Sequence, residues 1–154
     1  MKSVNHISGQ IVDAAMKVHS ALGPALLESA YEACLVYELR KRGLKCLQQV
    51  LLPVVYDGVT IDTGYRLDIL VEDCVIVELK AVEKVMPINE AQLLTHLKLS
   101  HLNVGLLMNF NVVHMRDGIK RLVHDLDPAD SLLRVPPCAS VSSAVNTLSN
   151  RRAI

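Results

Sequence analysis

Two neighbouring segments in the middle of the chain restrict the fold most, because each is apolar on both of its faces. Residues 65–71 and 75–81 are rich in aliphatic side chains and flank a polar Glu72-Asp73 break, which predicts two antiparallel strands joined by a short loop. Side chains alternate along a strand, and here apolar residues occupy both odd and even positions. We therefore expect this hairpin to belong to a sheet that is covered on both sides.

Two acids and a lysine interrupt the predicted hairpin. A three-residue loop centred on Asp73 would place Asp68 opposite Glu78, with Cβ atoms about 5 Å apart, and Lys80 on the same face. Two such carboxylates repel unless a cation lies between them or one is protonated, and Mg²⁺ prefers oxygen ligands of this kind. The residues alone leave open a metal site, a structural salt bridge of Lys80 with one of the acids, or a solvated charged face.

Composition limits the size and the partners of the protein. The 154 residues suffice for one domain, and 51% of them are hydrophobic, with one Phe, four Tyr and no Trp, so we expect an aliphatic core. The 16 Lys and Arg residues balance the 16 Asp and Glu residues. No net charge therefore draws the chain to nucleic acid or to an acidic membrane, although a local basic patch would suffice for a nucleic acid.

Cysteine spacing and the N-terminal pattern point to a cytoplasmic protein. No CxxC pair occurs among Cys34, Cys46, Cys74 and Cys138, so buried free thiols in a reducing compartment are expected. The N-terminus has no apolar signal-peptide region, and no apolar run is long enough to span a bilayer. We expect no membrane partner, and the sequence leaves open whether the chain forms a homodimer.

Periodicity and turn signals give the order ααβββαββ, a mixed α/β domain. Pro24 is expected in the first turn of the second helix and Gly43 at its end. Residues 127–154 are rich in Pro, Ser and Ala without a sustained period, which predicts a domain at 1–126 and a flexible tail. The predicted helices are 4–21, 24–42 and 87–100, and the predicted strands are 47–56, 59–71, 75–82, 104–110 and 119–123.

The segment at 22–31, Leu-Gly-Pro-Ala-Leu-Leu-Glu-Ser-Ala-Tyr, resembles the signature of the GxxExxY protein family, which is usually placed in the PD-(D/E)XK nuclease-like superfamily. The resemblance covers residues 5–124. Ala25 stands at the family's signature glycine, and we expect it to keep helix propensity and to alter only local packing. His96 stands where a tyrosine is common. The other segments that carry the resemblance are Asp68, 78–80, 92–98, 105–111 and 118–121.

The resemblance implies a restriction-endonuclease-like core, a mixed central sheet flanked by helices, with a metal-dependent active site. By this analogy Asp68 and Glu78 bind Mg²⁺ or Mn²⁺, and Lys80 orients or activates the attacking water. Glu28 would supply a further carboxylate to the metal, and Gln92 would lie beside the site. The implied activity is phosphodiester hydrolysis in DNA or RNA.

Other interpretations remain open at this point. The same fold could form a catalytically weak or inactive interaction or regulatory module, or it could hydrolyse a small phosphorylated molecule with a metal. Metal-ligand spacing is absent among His96, His101, His114 and His124, which are interpreted as ordinary residues. The change from tyrosine at His96 leaves open an altered contact with the substrate or only with the core. Lys98, Lys120 and Arg121 are either a basic rim for a phosphate backbone or ordinary solvated charges.

Overall fold

Two helices open the chain in this computed structural model, which describes residues 3–62 and 65–124; the predicted tail lies outside them. Helix α1 spans Val4–Leu22, as predicted, and begins where the Ser3 hydroxyl accepts the backbone N–H of His6 at 3.2 Å. Helix α2 spans Glu28–Lys41 and so begins later than Pro24, where the sequence predicted its first turn. The reason is that Gly23 and Ala25 have positive φ angles of 70° and 73°, which a right-handed helix cannot contain.

Gly43 ends α2, as predicted, through a pair of hydrogen bonds that requires a left-handed residue. Its φ is 73°, its N–H donates to the carbonyl of Arg40 at 2.9 Å, and the N–H of Leu44 donates to the carbonyl of Leu39 at 3.1 Å. These two bonds form a Schellman motif, which satisfies the last free carbonyls of a helix. The chain is thereby turned from α2 into the first strand of the sheet.

The strands of the described chain form one five-stranded sheet and one separate hairpin. The predicted order is kept, but two predicted strands each appear as two: β1 and β2 lie on either side of Pro53, and β3 ends at Ile61 whereas β4 begins at Arg66. Asp57 and Gly58, between the predicted strands 47–56 and 59–71, form the turn between β2 and β3. The strands are β1 (Cys46–Leu51), β2 (Val54–Tyr56), β3 (Val59–Ile61), β4 (Arg66–Val71), β5 (Val75–Lys80), β6 (Val104–Asn109) and β7 (Ile119–Val123).

The large sheet has the order β1-β4-β5-β6-β7, and its one parallel pair, β5 and β6, is connected by helix α3. Helix α3 spans Pro87–Ser100, as predicted, and the carboxamide oxygen of Asn89 accepts the N–H of Met86 at 2.8 Å at its start. Gly105 on β6 lets α3 pack directly on the sheet, since a Cβ there would lie 2.8 Å from a methyl of Leu93. A short 3₁₀ helix, Met115–Gly118, leads into β7.

The sheet is covered on both sides, as the sequence predicted. The face that we call the apolar face packs against α1 and α2 and presents Val75, Val77 and Leu79 from β5. The opposite face, which we call the mixed face, packs against α3 through Leu70 on β4 and Ile76 on β5. Alternation along β4 and β5 places Asp68, Glu78 and Lys80 on this mixed face, among the residues that α3 covers.

Two further sequence predictions concern thiols and membranes. Cys34, Cys46 and Cys74 are free thiols, Cys46 buried and the other two half-buried, while Cys138 lies outside the described residues. Among residues 3–62 and 65–124, no helix is both long and apolar enough to cross a membrane.

Candidate active site on the mixed face

Strand register brings Asp68 and Glu78 to the same level of the sheet. The β4–β5 ladder pairs Leu70 with Ile76 and Ile69 with Val77, the register that the three-residue loop predicted. Continuing it by one residue sets Asp68 opposite Glu78. There the side chain of Asp68 enters the ladder, because its Oδ2 accepts the backbone N–H of Leu79 at 2.8 Å. The strand pair therefore opens at the acids and leaves their carboxylates on one face.

Glu78 is the most deeply buried acid of the site, with a residue exposure of 1%. Its Oε1 accepts from Nζ of Lys80 at 2.8 Å, and its Oε2 lies 3.4 Å from Nδ1 of His96. Burial alone would raise the pKa of the Glu78 carboxyl, but His96 and Lys80 outweigh burial and hold this pKa below its usual range. Glu78 is thus kept ionised next to two nitrogen groups.

Asp68 is in the opposite electrostatic situation. Burial, followed by repulsion from Glu78, raises the pKa of the Asp68 carboxyl to about 6, although the Leu79 hydrogen bond and Lys80 act to lower it. A carboxyl with this pKa holds its proton more tightly than a solvated aspartate. Two acids with pKa values displaced in opposite directions within one cleft are typical of sites that bind a cation or perform acid–base chemistry.

Lys80 forms the salt bridge that the sequence left open as a structural alternative. Its Nζ donates to Glu78 at 2.8 Å and to the carbonyl of Leu79 at 3.0 Å, and 14% of its side chain is exposed. Burial would lower the pKa of the Lys80 ammonium, but Glu78, Glu28 and Asp68 together raise it. The ammonium is therefore a fixed positive charge among three acids.

Glu28 reaches this group from helix α2, which packs on the other face of the sheet. The pKa of its carboxyl is raised, mainly by burial and also by repulsion from Glu78. Lys80 and a backbone hydrogen bond from Ala81 oppose this shift. Glu28 therefore interacts electrostatically with both Lys80 and Glu78. Glu28 is half-buried and is the first residue of α2. It follows directly on the loop that the sequence analysis wrongly assigned to the start of this helix.

Tyr31 explains how that loop positions Glu28. Its ring is fully buried and stacks on Phe110 with a centroid distance of 4.5 Å. Its hydroxyl donates to the carbonyl of Gly23 at 2.7 Å and accepts the N–H of Leu26 at 3.1 Å. The tyrosine of the Glu-x-x-Tyr signature thus fixes the loop that precedes Glu28 from within the core. Ala25 lies in this clamped loop and is not helical, so the expectation drawn from its helix propensity was wrong.

Helix α3 contributes one predicted residue and one that the sequence interpretation missed. Gln92 is half-buried on α3, and within the described residues its side chain makes no hydrogen bond to the carboxylates. His96, one turn later, is buried, contacts Glu78 and has its ring edge-on to Tyr65 at 6.4 Å between centroids. The sequence did contain a signal for His96, because residues four apart on a helix share a face and Gln92 was already assigned to the site.

Asn109 is a second buried polar residue that sequence reasoning did not single out. It ends β6, its Oδ1 accepts the N–H of Val82 at 3.1 Å, and its Nδ2 donates to the carbonyl of Val82 at 2.8 Å. The N–H of Phe110 donates to the carbonyl of Lys80 at 2.8 Å. These bonds fix the backbone just after β5, where Ala81 meets Glu28.

The donors of the site suit a divalent cation, although the side chains are paired with nitrogen groups. Among residues 3–62 and 65–124, no group of three or more His, Cys, Asp or Glu side chains is arranged to hold a metal ion. Glu78 Oε2 is buried without a hydrogen-bond partner, however, and an unpaired buried carboxylate oxygen is a position that a cation would satisfy. Asp68, Glu78 and Glu28 as metal ligands remain predictions.

Comparison with protein families agrees with the fold of the described chain. The family model of the PD-(D/E)XK nuclease superfamily matches residues 5–122, which include both helices before the sheet, the acid-acid-lysine group and α3. Among curated proteins and among solved structures, no significant match occurs. Because the family match covers most of the chain, the protein belongs to the PD-(D/E)XK nuclease superfamily.

Proposed function

We propose that this protein is a Mg²⁺- or Mn²⁺-dependent nuclease of the GxxExxY group, which hydrolyses phosphodiester bonds in DNA or RNA. The observation that carries the proposal is the set of Asp68, Glu78 and Lys80 on one face of β4 and β5, with the pKa values of the two acids displaced in opposite directions. A buried acid pair costs stability in a fold that could have placed aliphatic residues there. Such a cost is expected at a functional site.

The proposed metal ligands are Asp68 and Glu78, with Glu28 as a third carboxylate. All three interact electrostatically with Lys80, and each supplies hard oxygen atoms of the kind that Mg²⁺ and Mn²⁺ bind. A bound divalent ion lowers the pKa of its water ligand and neutralises charge on phosphoryl oxygens. Asp68, whose carboxyl has a pKa of about 6, must release its proton before it can serve as a ligand.

Lys80 is proposed to bind the phosphate and to orient the attacking water. Its ammonium is compact, charged and held at the open end of the β4–β5 pair by two hydrogen bonds. Glu28, beside it on α2, would keep the ammonium in place when Glu78 turns toward a metal. Gln92, on the side of α3 that carries His96, is proposed to contact the substrate.

The proposed substrate is a nucleic acid that approaches a nearly neutral surface. Two of the three candidate basic residues are already paired within the protein. Lys120 Nζ lies 2.6 Å from Glu90 Oε2, and the Arg121 guanidinium donates to the side chain of Asn5 at 2.9 Å. Lys98 is exposed on α3. Because two of these three cations are already paired, we expect weak, site-centred binding and a small dependence of affinity on salt.

One observation favours the second candidate function, an interaction or regulatory module without useful turnover. Glu78 Oε1 is occupied by Lys80 at 2.8 Å, so the buried acid is neutralised inside the protein without a metal. A site built only for structure would look the same in this respect. The two proposals differ in whether a divalent ion competes successfully with the lysine.

A nuclease assay distinguishes the two functions. The full chain is incubated with labelled single- and double-stranded DNA and RNA in the presence of Mg²⁺, Mn²⁺ or a chelator. We expect cleavage of at least one substrate that requires the ion and falls about 10²–10³-fold in Lys80→Ala, because the phosphate loses its charged donor. Lys45→Ala is the matched control, since Lys45 forms an exposed salt bridge with Asp73 at 2.7 Å at the other end of the hairpin. If the parent protein cleaves none of the four substrates above the Lys80→Ala level, the module is the better description.

A further inference from the structure

Exposed apolar side chains border the acids of the mixed face. Leu27 immediately precedes Glu28 and is 77% exposed, and Tyr65, just before β4, is 54% exposed. Ile88 is also exposed and lies one turn before Gln92 on the same side of α3. We call Leu27, Tyr65 and Ile88 the apolar rim. Apolar side chains exposed together around a cleft are typical of a binding surface.

Tyr65 is the residue of the apolar rim that is tied to the acids by measured contacts. Its ring lies edge-on to the His96 ring at 6.4 Å between centroids, and His96 Nδ1 lies 3.4 Å from Glu78 Oε2. The Tyr65 carbonyl accepts the N–H of Leu52 at 2.8 Å, which extends the β1–β4 pair and holds the backbone of Tyr65 in place. A half-exposed aromatic ring is therefore fixed one side chain away from the buried acid.

The β2–β3 hairpin adds exposed apolar side chains at the same edge of the sheet. It joins the end of β1 to the start of β4, where Leu51 pairs with Arg66, and so leaves the sheet two residues before Asp68. Tyr56 and Val59 form a cross-strand pair on one face of the hairpin, and Tyr56 is 73% exposed. A two-stranded hairpin is only marginally stable by itself in water, so a ligand that covers this face would stabilise it.

The charge of this segment indicates which part of a nucleic acid would contact it. Residues 52–65 contain two Asp and no Lys or Arg, so they repel a phosphate backbone. Uncharged bases have no such penalty and stack on aromatic side chains. A duplex keeps its bases stacked on one another and presents phosphates outward, whereas a single strand can turn its bases toward apolar side chains.

Building on the proposed nuclease function, we propose that the site takes single-stranded nucleic acid. Tyr65 stacks on an unpaired base next to the scissile phosphate, and the rest of the apolar rim and Tyr56 contact neighbouring bases. Glu28 and Lys80 are partly exposed, so a phosphate can reach them beside the stacked base. Every base has a π face, so we expect little sequence preference.

Binding of labelled oligonucleotides in the presence of a chelator tests the proposal without cleavage. The probes are a single strand of about twelve nucleotides, the same strand with abasic sites in place of its bases, and the corresponding duplex, and fluorescence anisotropy is followed against protein concentration. We expect the single strand to bind about tenfold or more tightly than the abasic strand or the duplex, both as DNA and as RNA.

Variants of one residue type assign this difference to the ring of Tyr65. Tyr65→Ala should weaken binding of the single strand about tenfold and change binding of the abasic strand little, whereas Tyr65→Phe keeps the ring and should bind like the parent. Tyr37→Ala is the matched control. Tyr37 is 68% exposed on α2, nine residues after Glu28 and therefore on the opposite side of that helix, and its loss should change neither affinity.

The possible failures separate this inference from the proposed nuclease function. Equal binding of the single strand and the abasic strand, or tighter binding of the duplex, would overturn the inference and leave the nuclease site in place. Single-strand binding that depends on Tyr65, without cleavage in Mg²⁺ or Mn²⁺, would support the inference and overturn the nuclease function. No binding of any probe would overturn the inference. If sedimentation then shows a dimer that Tyr56→Ala converts to a monomer, a second copy of the chain covers these side chains instead.

Discussion

The two faces of strand β5 differ sharply, since its six residues present only apolar side chains to one side of the sheet and two ionisable side chains to the other. Val75, Val77 and Leu79 point to the apolar face and are fully buried against α1 and α2. Ile76, Glu78 and Lys80 point to the mixed face under α3, where only Ile76 belongs to the hydrophobic cluster. A single register error would exchange the two sets, so the apolar face fixes the register that brings the acids together.

The two faces also differ in how their side chains contribute to the stability of the fold. On the apolar face, each buried aliphatic side chain contributes through transfer from water and close packing. On the mixed face, Glu78 is stabilised as an anion by its nitrogen neighbours, while Asp68 is destabilised as an anion by burial and by Glu78. Substitutions on the two faces should therefore differ in size, in sign and in pH dependence.

The largest change in stability is expected from truncation on the apolar face. Leu106 on β6 is 1% exposed and pairs with Val77 of β5 in the parallel register. Leu106→Ala should lower the free energy of unfolding by about 3 kcal/mol, from lost burial and a residual cavity. Urea unfolding measures this loss. A loss below about 1 kcal/mol would mean that the apolar face does not carry the stability of the sheet.

A smaller loss is expected when the stabilised anion is removed. Glu78→Gln should lower the free energy of unfolding at pH 7 by about 2 kcal/mol, because it leaves Lys80 half-buried without its acid. The pKa of Glu78 is lowered in the folded state, so its charge stabilises the fold above the ordinary glutamate pKa, and this contribution is lost as the pH falls through the folded pKa. Unfolding titrations from pH 7 to pH 3 should show the parent and Glu78→Gln converging in acid. A gap of constant size would contradict this account.

Asp68→Asn should have the opposite sign. The pKa of Asp68 is raised to about 6, so folding favours its protonated form and its ionisation destabilises the fold at neutral pH. The variant should be more stable than the parent by about 1–2 kcal/mol above pH 6, since the amide oxygen can still accept the Leu79 N–H. The gain should shrink between pH 6 and pH 4 and vanish in acid. A destabilised variant at pH 7.5 would show that the Asp68 charge is already compensated.

The smallest change in the free energy of unfolding is expected in the loop between α1 and α2, which precedes Glu28. Ala25 has a φ of 73°, which costs an L-residue more than glycine. Ala25→Gly should therefore raise the free energy of unfolding by about 0.5–1 kcal/mol. Ala30→Gly, inside α2, is the control and should lower it by about 1 kcal/mol. If both variants are destabilised, the loop does not hold Ala25 in the left-handed region.

Much of the sheet could be predicted because its signals are local. The bounds of α3 and β7 follow from Pro87 and from the turn at Asp117-Gly118, and the register of β4 and β5 follows from their loop length. The start of α2 could not be predicted. Gly23-Pro24 resembles a helix N-terminus, whereas the true start depends on the buried hydroxyl of Tyr31, a contact of the folded chain.

The site was predictable to the extent that it lies on one hairpin. Asp68, Glu78 and Lys80 are related by strand pairing, so their mutual placement follows from alternation and register. His96 and Asn109 reach the same region from α3 and β6, and only the packing of those elements on β5 brings them there. Gln92 rests on the family resemblance, because its own spacing carries no information about the sheet.

The central claim is that the acids of the mixed face hold a divalent ion, and the melting temperature of the full chain in Mg²⁺ or Mn²⁺ tests it most directly. A ligand that binds only the folded state stabilises it by about 2.7 kcal/mol at one hundred times its dissociation constant. We predict a melting temperature that rises with ion concentration in the parent protein, with a reduced response in Asp68→Asn and at least a partial response in Lys80→Ala. If neither ion shifts the parent's melting curve at millimolar concentration, the account of this site as a metal-dependent nuclease is contradicted.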